Sequence, residues 1–63
     1  MSYMLFEVWT EDDDGHQDLL ETTASLTAAR KIAKQAITNG STAVIYQENE
    51  DGDTEEIERF ERD

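Results

Sequence analysis

The chain has no cysteine, no apolar run near the roughly 18 residues of a membrane span, one histidine, and five basic residues against sixteen acidic ones. Without cysteine there is neither a disulfide framework nor a thiolate metal site to supplement the core. The lone histidine, His16, has no second histidine or cysteine with which to build a zinc site. The N-terminus lacks the basic flank and apolar stretch of a signal peptide, so the expected location is the cytoplasm, with no membrane contact. A formal charge of −11 repels phosphate backbones, which argues against direct nucleic-acid binding and leaves basic proteins as the charge-matched partners. Salt should stabilise the fold by screening its self-repulsion.

The chain is also short. Sixty-three residues make at most one domain, 1–63, and a chain of this size leaves about 40% of its unfolded surface in water after folding. A single core of that kind is marginally stable, and self-association is a common remedy.

What the sequence does contain is strong local patterning. Residues 3–10, YMLFEVWT, are rich in aromatic and β-branched types and are apolar on both parities, as in a central strand. Asp14-Gly15 is a hairpin turn signal, because glycine accepts the positive φ that a tight turn requires, and QDLLETT returns as a more polar strand. Ser25 is suited to cap a helix over 26–38. Its apolar stripe runs through Leu26, Ala29, Ile32, Ala33, Ala36 and Ile37, and Gly40 is suited to the left-handed position just past its end. STAVIYQ is again apolar on both parities, Asp51-Gly52 is a second turn signal, and TEEIERF is a polar last strand. The expected elements are hairpin 3–23, helix 26–38 and hairpin 42–60. The two hairpins correspond at an offset of 37: Val8-Trp9 with Ile45-Tyr46, Asp14-Gly15 with Asp51-Gly52, and Leu20-Glu21 with Ile57-Glu58.

Burial then orders the sheet. The two strands apolar on both parities belong in the middle and the charged ones at the edges, where charge opposes edge-to-edge pairing. The expected fold is therefore α+β: a ββαββ chain forming a four-stranded antiparallel sheet of order 2-1-3-4, with one helix on one face. Met4, Phe6, Val8, Ala43 and Ile45 should meet the helix. The open face should carry Tyr3, Leu5, Trp9, Val44 and Tyr46, more apolar surface than a small monomer usually shows to water.

Four features are candidates for function. The acidic loops resemble calcium-loop spacing in part. With glycine at position 6, Asp12, Asp14 and Glu21 in one loop, and Asn49, Asp51 and Glu58 in the other, fall at positions 3, 5 and 12. Position 1, however, is Thr10 or Gln47, and strands stand where that motif needs helices. The loops read as solvated turns, with weak divalent-cation binding at Asp12, Asp14, Asp51 and Asp53 as the alternative and no dedicated metal or cofactor. Arg30, Lys31 and Lys34 make the helix cationic between two acidic segments, a solvated face on which Lys34, in the C-terminal half, suits the helix dipole, with contact to a small anion or an acidic partner as the alternative. His16, among carboxylates, is a polar turn residue with pH sensitivity as its alternative. Paired carboxylates are abundant, but no nucleophile motif accompanies them, and one helix on one sheet leaves little room for a catalytic pocket.

The fourth feature is the open face itself. Aromatic residues concentrate at association surfaces, so Tyr3, Leu5, Trp9, Val44 and Tyr46 are the expected interface. The expected function is a small acidic, non-enzymatic protein-interaction module that self-associates as a homodimer through this face. An acidic mimic of nucleic acid that occupies a DNA-binding protein is the alternative, and adaptation to a high-salt cytoplasm would explain the acidity without any partner.

Overall fold

The structure is a computed structural model that describes residues 4–61. Its elements are β1 (Leu5–Glu11), β2 (Gln17–Thr23), α1 (Leu26–Thr38), β3 (Thr42–Glu48) and β4 (Thr54–Phe60). The strands form one sheet of order β2-β1-β3-β4, with every neighbouring pair antiparallel. This is the ββαββ arrangement expected from the pattern, with α1 packed on one face.

The helix starts where Ser25, in extended conformation, accepts the Ala28 N–H on its Oγ at 3.2 Å. It stops in a Schellman motif: the Ser41 N–H reaches the Ala36 carbonyl, the Gly40 N–H reaches that of Ile37, and Gly40 takes the left-handed φ of +94°. Between these caps the apolar stripe presents Ala29, Ala33 and Ala36, all buried, to Phe6 and Val8 of β1 and Ala43 and Ile45 of β3. Small residues on the helix against large ones on the strands bring the two layers close. Leu26, Ile32, Ile37 and Phe60 pack around this core. Met4 departs from expectation. It precedes β1, is 49% exposed, and its Sδ accepts from the Gln47 side chain rather than joining the core.

The two hairpins are congruent at the offset of 37. Asp12 Oδ1 accepts the N–H groups of Asp14 and His16, and Asn49 Oδ1 accepts those of Asp51 and Asp53. Gly15 and Gly52 take φ values of +87° and +86°. Each loop is a tight turn followed by one left-handed glycine, the usual three-residue hairpin connection. Each hairpin also contains one bulge. Val8 faces Glu21 and Trp9 faces Leu19, leaving Leu20 extra; Ile45 faces Glu58 and Tyr46 faces Glu56, leaving Ile57 extra. Val8 and Ile45 also face each other across β1 and β3. The hairpins are thus related by an approximate twofold axis normal to the sheet through that pair, and the two loop tips lie at opposite ends of it.

Candidate functional site

The site follows from strand parity. Phe6 and Val8 point at the helix, so Leu5, Glu7, Trp9 and Glu11 occupy the other face of β1, and the β1–β3 register places Val44 and Tyr46 beside them. On the edge strands the turn registers and the bulges together decide what joins them. The register running from the turn, Glu11 with Gln17 and Trp9 with Leu19, puts Gln17 and Leu19 on the face of Trp9; because Leu20 is extra, Thr22 returns to that face opposite Glu7, while Leu20 lines a groove beside Ile32 and Ala36 of the helix. In the same way Glu56 stands opposite Tyr46 on the open face by the register from the second turn, and because Ile57 is extra, Glu58 stands on the helix side, where Arg30 meets it at 3.0 Å, and Arg59 stands on the open face.

Trp9 and Tyr46 are diagonal neighbours, with ring centroids 6.3 Å apart and planes at 87°, the favourable edge-to-face arrangement. Their polar ends are both held. The Trp9 indole N–H donates to Glu7 Oε1 at 3.0 Å, and the Tyr46 hydroxyl donates to Gln17 Oε1 at 3.0 Å. From Gln17 the network continues: its side-chain amide donates to Glu11 Oε1 at 2.9 Å, Arg59 donates to Glu11 Oε2 at 3.1 Å, and its second amino group donates to Glu56 at 3.3 Å. One connected chain of polar groups therefore joins all four strands. Gln17 and then Arg59 hold the Glu11 carboxyl below the usual glutamate range, and Glu11 in turn raises the Arg59 guanidinium.

The Arg59 side chain must cross β3 to reach Glu11, because β4 and β1 are separated by that strand. It stands opposite Val44, and Val44 has no accessible surface. The stem of Arg59 and the Trp9 ring flank Val44 from the two sides and close water out from between the strands.

Of the expected interface residues, the structure brings Leu5, Trp9, Val44 and Tyr46 onto one face; Tyr3 lies outside the described residues. Leu5, Trp9 and Tyr46 are half-buried, whereas Val44 can touch a partner only if the side chains over it move. Leu19, 51% exposed opposite Trp9, adds apolar surface beyond the expected set. Glu7, Glu11, Gln17 and Arg59 form the polar frame. The glutamates were readable from their spacing to Trp9, but the frame itself depends on all four strands meeting. At the centre of the face lies a shallow groove of about 280 Å³ lined by Glu7, Trp9, Gln17, Tyr46 and Thr54.

The loop tips are different in kind. Asp12, Asp14 and His16 bring ligand atoms within 4.8 Å of one another, all exposed. One Asp12 oxygen is already engaged by two backbone N–H groups, and its other oxygen is 3.7 Å from His16 Nδ1. Glu21, the twelfth position of the calcium-like spacing, pairs with Val8 well down the strand and away from the tip. At the second tip, where Asp51 and Asp53 lie, Asn49 plays the part of Asp12 and Asp53 stands where His16 does, so the capping side chain there is neutral. Lys31 and Lys34 line a shallow groove on the outer side of the helix with Gln35, Thr38 and Asn39. No helix among the described residues is long and apolar enough to cross a membrane. Comparison with known protein families, curated protein sequences and solved structures finds no match.

Proposed function

We propose that this protein is a non-enzymatic interaction module that docks a basic protein partner on its open sheet face. The observation that carries this reading is the half-buried Trp9–Tyr46 pair, fixed at both polar ends and set in a frame of carboxylates. Pre-fixed aromatic rings lose little entropy on binding, which is why such residues anchor interfaces. The charge of the face selects the partner. Glu7, Glu11, Glu48 and Glu56 occupy it by register against one basic side chain among the described residues, Arg59. A basic partner gains from that charge, and the whole molecule at −11 steers it in. Catalysis is not part of this reading, in which Glu11 and Arg59 are committed to a bridge across the sheet. A cytosolic setting is part of it.

Self-association is the second reading, favoured by Leu19 exposed beside Trp9 and by the small core of so short a chain. Two such faces brought together also oppose the carboxylates of both copies, so this pairing requires salt. A nucleic-acid mimic would bind basic proteins as well, but through charge density alone.

One pair of measurements separates these readings. Light scattering at moderate and high salt reads the molar mass against the 7.2 kDa chain. Fluorescence anisotropy then follows a labelled decapeptide of alternating arginine and leucine with the wild type, with Trp9→Ala/Tyr46→Ala, and with Asp13→Asn/Asp51→Asn at the tips. Docking on the face predicts a monomer whose affinity falls about tenfold or more in the aromatic variant and little in the tip variant. Equal affinity in the aromatic variant overturns the reading in favour of charge mimicry, and a salt-stabilised dimer overturns it in favour of self-association.

A further inference from the structure

The approximate twofold axis makes the two halves of the open face directly comparable. It maps Val44 onto Glu7, Glu11 onto Glu48, Tyr46 onto Trp9 and Arg59 onto Thr22. On one half, Arg59 reaches across its neighbouring strand to a carboxylate and roofs the central residue. On the other half the carboxylate, Glu48, and the aromatic ring are both present, the central residue is itself a carboxylate, and threonine stands where the arginine would be.

We propose that the central groove, where Glu7 and Tyr46 of this half meet Trp9 and Gln17 of the other, is a seat for one cationic side chain, an arginine or lysine head supplied by the docking partner. This inference rests on the docking reading above and names the chemistry at its centre. Three observations on the groove support it. Glu7 is half-buried, and none of the ion pairs among the described residues reaches it; the one hydrogen bond to its carboxylate comes from the neutral indole of Trp9. Two ring systems at 87° line the groove and offer π surface to a cation held within about 6 Å of a ring centroid. Gln17 and Thr54, symmetry mates under the axis, add neutral polar groups at its wall. The Arg59–Glu11 bridge on the other half shows the same face already holding a guanidinium beside the Gln17 side chain. The filled half is sealed by the chain's own residue; the other half waits for one from outside.

The test is an NMR titration at constant ionic strength that follows the Trp9 indole N–H and the Glu7 and Thr54 amides. The probes are N-acetyl-arginine amide and N-acetyl-lysine amide, with the neutral N-acetyl-citrulline amide and the side-chain-acetylated lysine amide as controls. The expected result is saturable millimolar binding of a cationic probe and none of its neutral counterpart; whichever cation saturates first identifies the head. Glu7→Gln, which keeps the acceptor for the indole, should weaken binding about fivefold. Thr22→Arg, which supplies internally what Arg59 supplies on the other half, should abolish it. Equal shifts with the neutral probes, unchanged binding in Glu7→Gln, or shifts confined to the hairpin tips would each overturn the proposal. If the decapeptide docks in an aromatic-dependent way but no amide binds, the seat is wrong and the docking reading survives. If the amides bind but the decapeptide ignores Trp9 and Tyr46, the docking reading fails alone.

Discussion

Val8 and Val44 lie on opposite faces of the same sheet, and neither has any accessible surface, yet they are sealed by different means. Val8 is covered by a helix whose buried alanines form a continuous dry layer with Phe6 and Ile45. Val44 is covered by side chains of its own sheet: the Trp9 ring on one side and the long stem of Arg59, drawn across β3 by Glu11, on the other. A backbone element closes the first face permanently. Individual rotatable side chains close the second, and such a cover can be rearranged by a partner at the cost of a few hydrogen bonds.

The largest expected effect tests whether the two covers differ in rigidity. Val8→Ala should cost about 2–3 kcal/mol and Val44→Ala about 1–2 kcal/mol, because the roof over Val44 can settle into the space left behind whereas the helix cannot. Urea unfolding of both variants reads the difference, and equal costs would mean that the open face is as tightly packed as the core.

A smaller effect separates the two arginines. Arg30→Ala removes a largely exposed pair with Glu58 and should cost about 0.5 kcal/mol or less. Arg59→Ala should destabilise more, since it also uncovers Val44, and should increase quenching of Trp9 fluorescence by acrylamide. Similar unfolding midpoints and unchanged quenching would show that Arg59 is only another surface charge.

The smallest effect is a pH dependence confined to the open face. Glu11 titrates below its ordinary value of 4.5 because Gln17 and Arg59 hydrogen-bond its charged form. Its contribution is therefore complete above that value and is lost as pH falls through the lower folded value. The stability difference between wild type and Glu11→Gln should be full at neutral pH and shrink below pH 4.5, even as protonation of other carboxylates relieves repulsion in both proteins. A constant difference down to pH 2 would dissociate Glu11 from the roof.

How much of this was readable in advance varies by residue. The helix limits, the four strands and the order 2-1-3-4 follow from patterns within each segment: a stripe at helical spacing, both-parity apolar strands, and glycine at the turns. The correspondence at 37 was also readable, and it extends to the turn hydrogen bonds and the bulges. Met4 misled because parity assigns a face but not an extent, and the strand begins only at Leu5. Tyr3, expected beside it, lies outside the described residues. For the site, Trp9 and Tyr46 were placed on one face by alternation alone. Leu19 was not named with them, although the register counted from the Asp14-Gly15 turn sets it opposite Trp9. The seal over Val44 was not readable, because it joins residues 9, 11, 44 and 59 from three strands.

The sequence by itself determined what depends on neighbours a few residues away: the helix with its serine cap and glycine stop, the turns with their Asx and glycine residues, and the period-2 assignment of the central strands. Tertiary structure alone decided which edge residues face which way, because each bulge breaks that alternation halfway along its strand. It also decided that one half of the open face carries its own arginine and the other does not. That asymmetry exists only once an antiparallel register has laid residue 59 beside 44 and residue 22 beside 7, which no local pattern encodes.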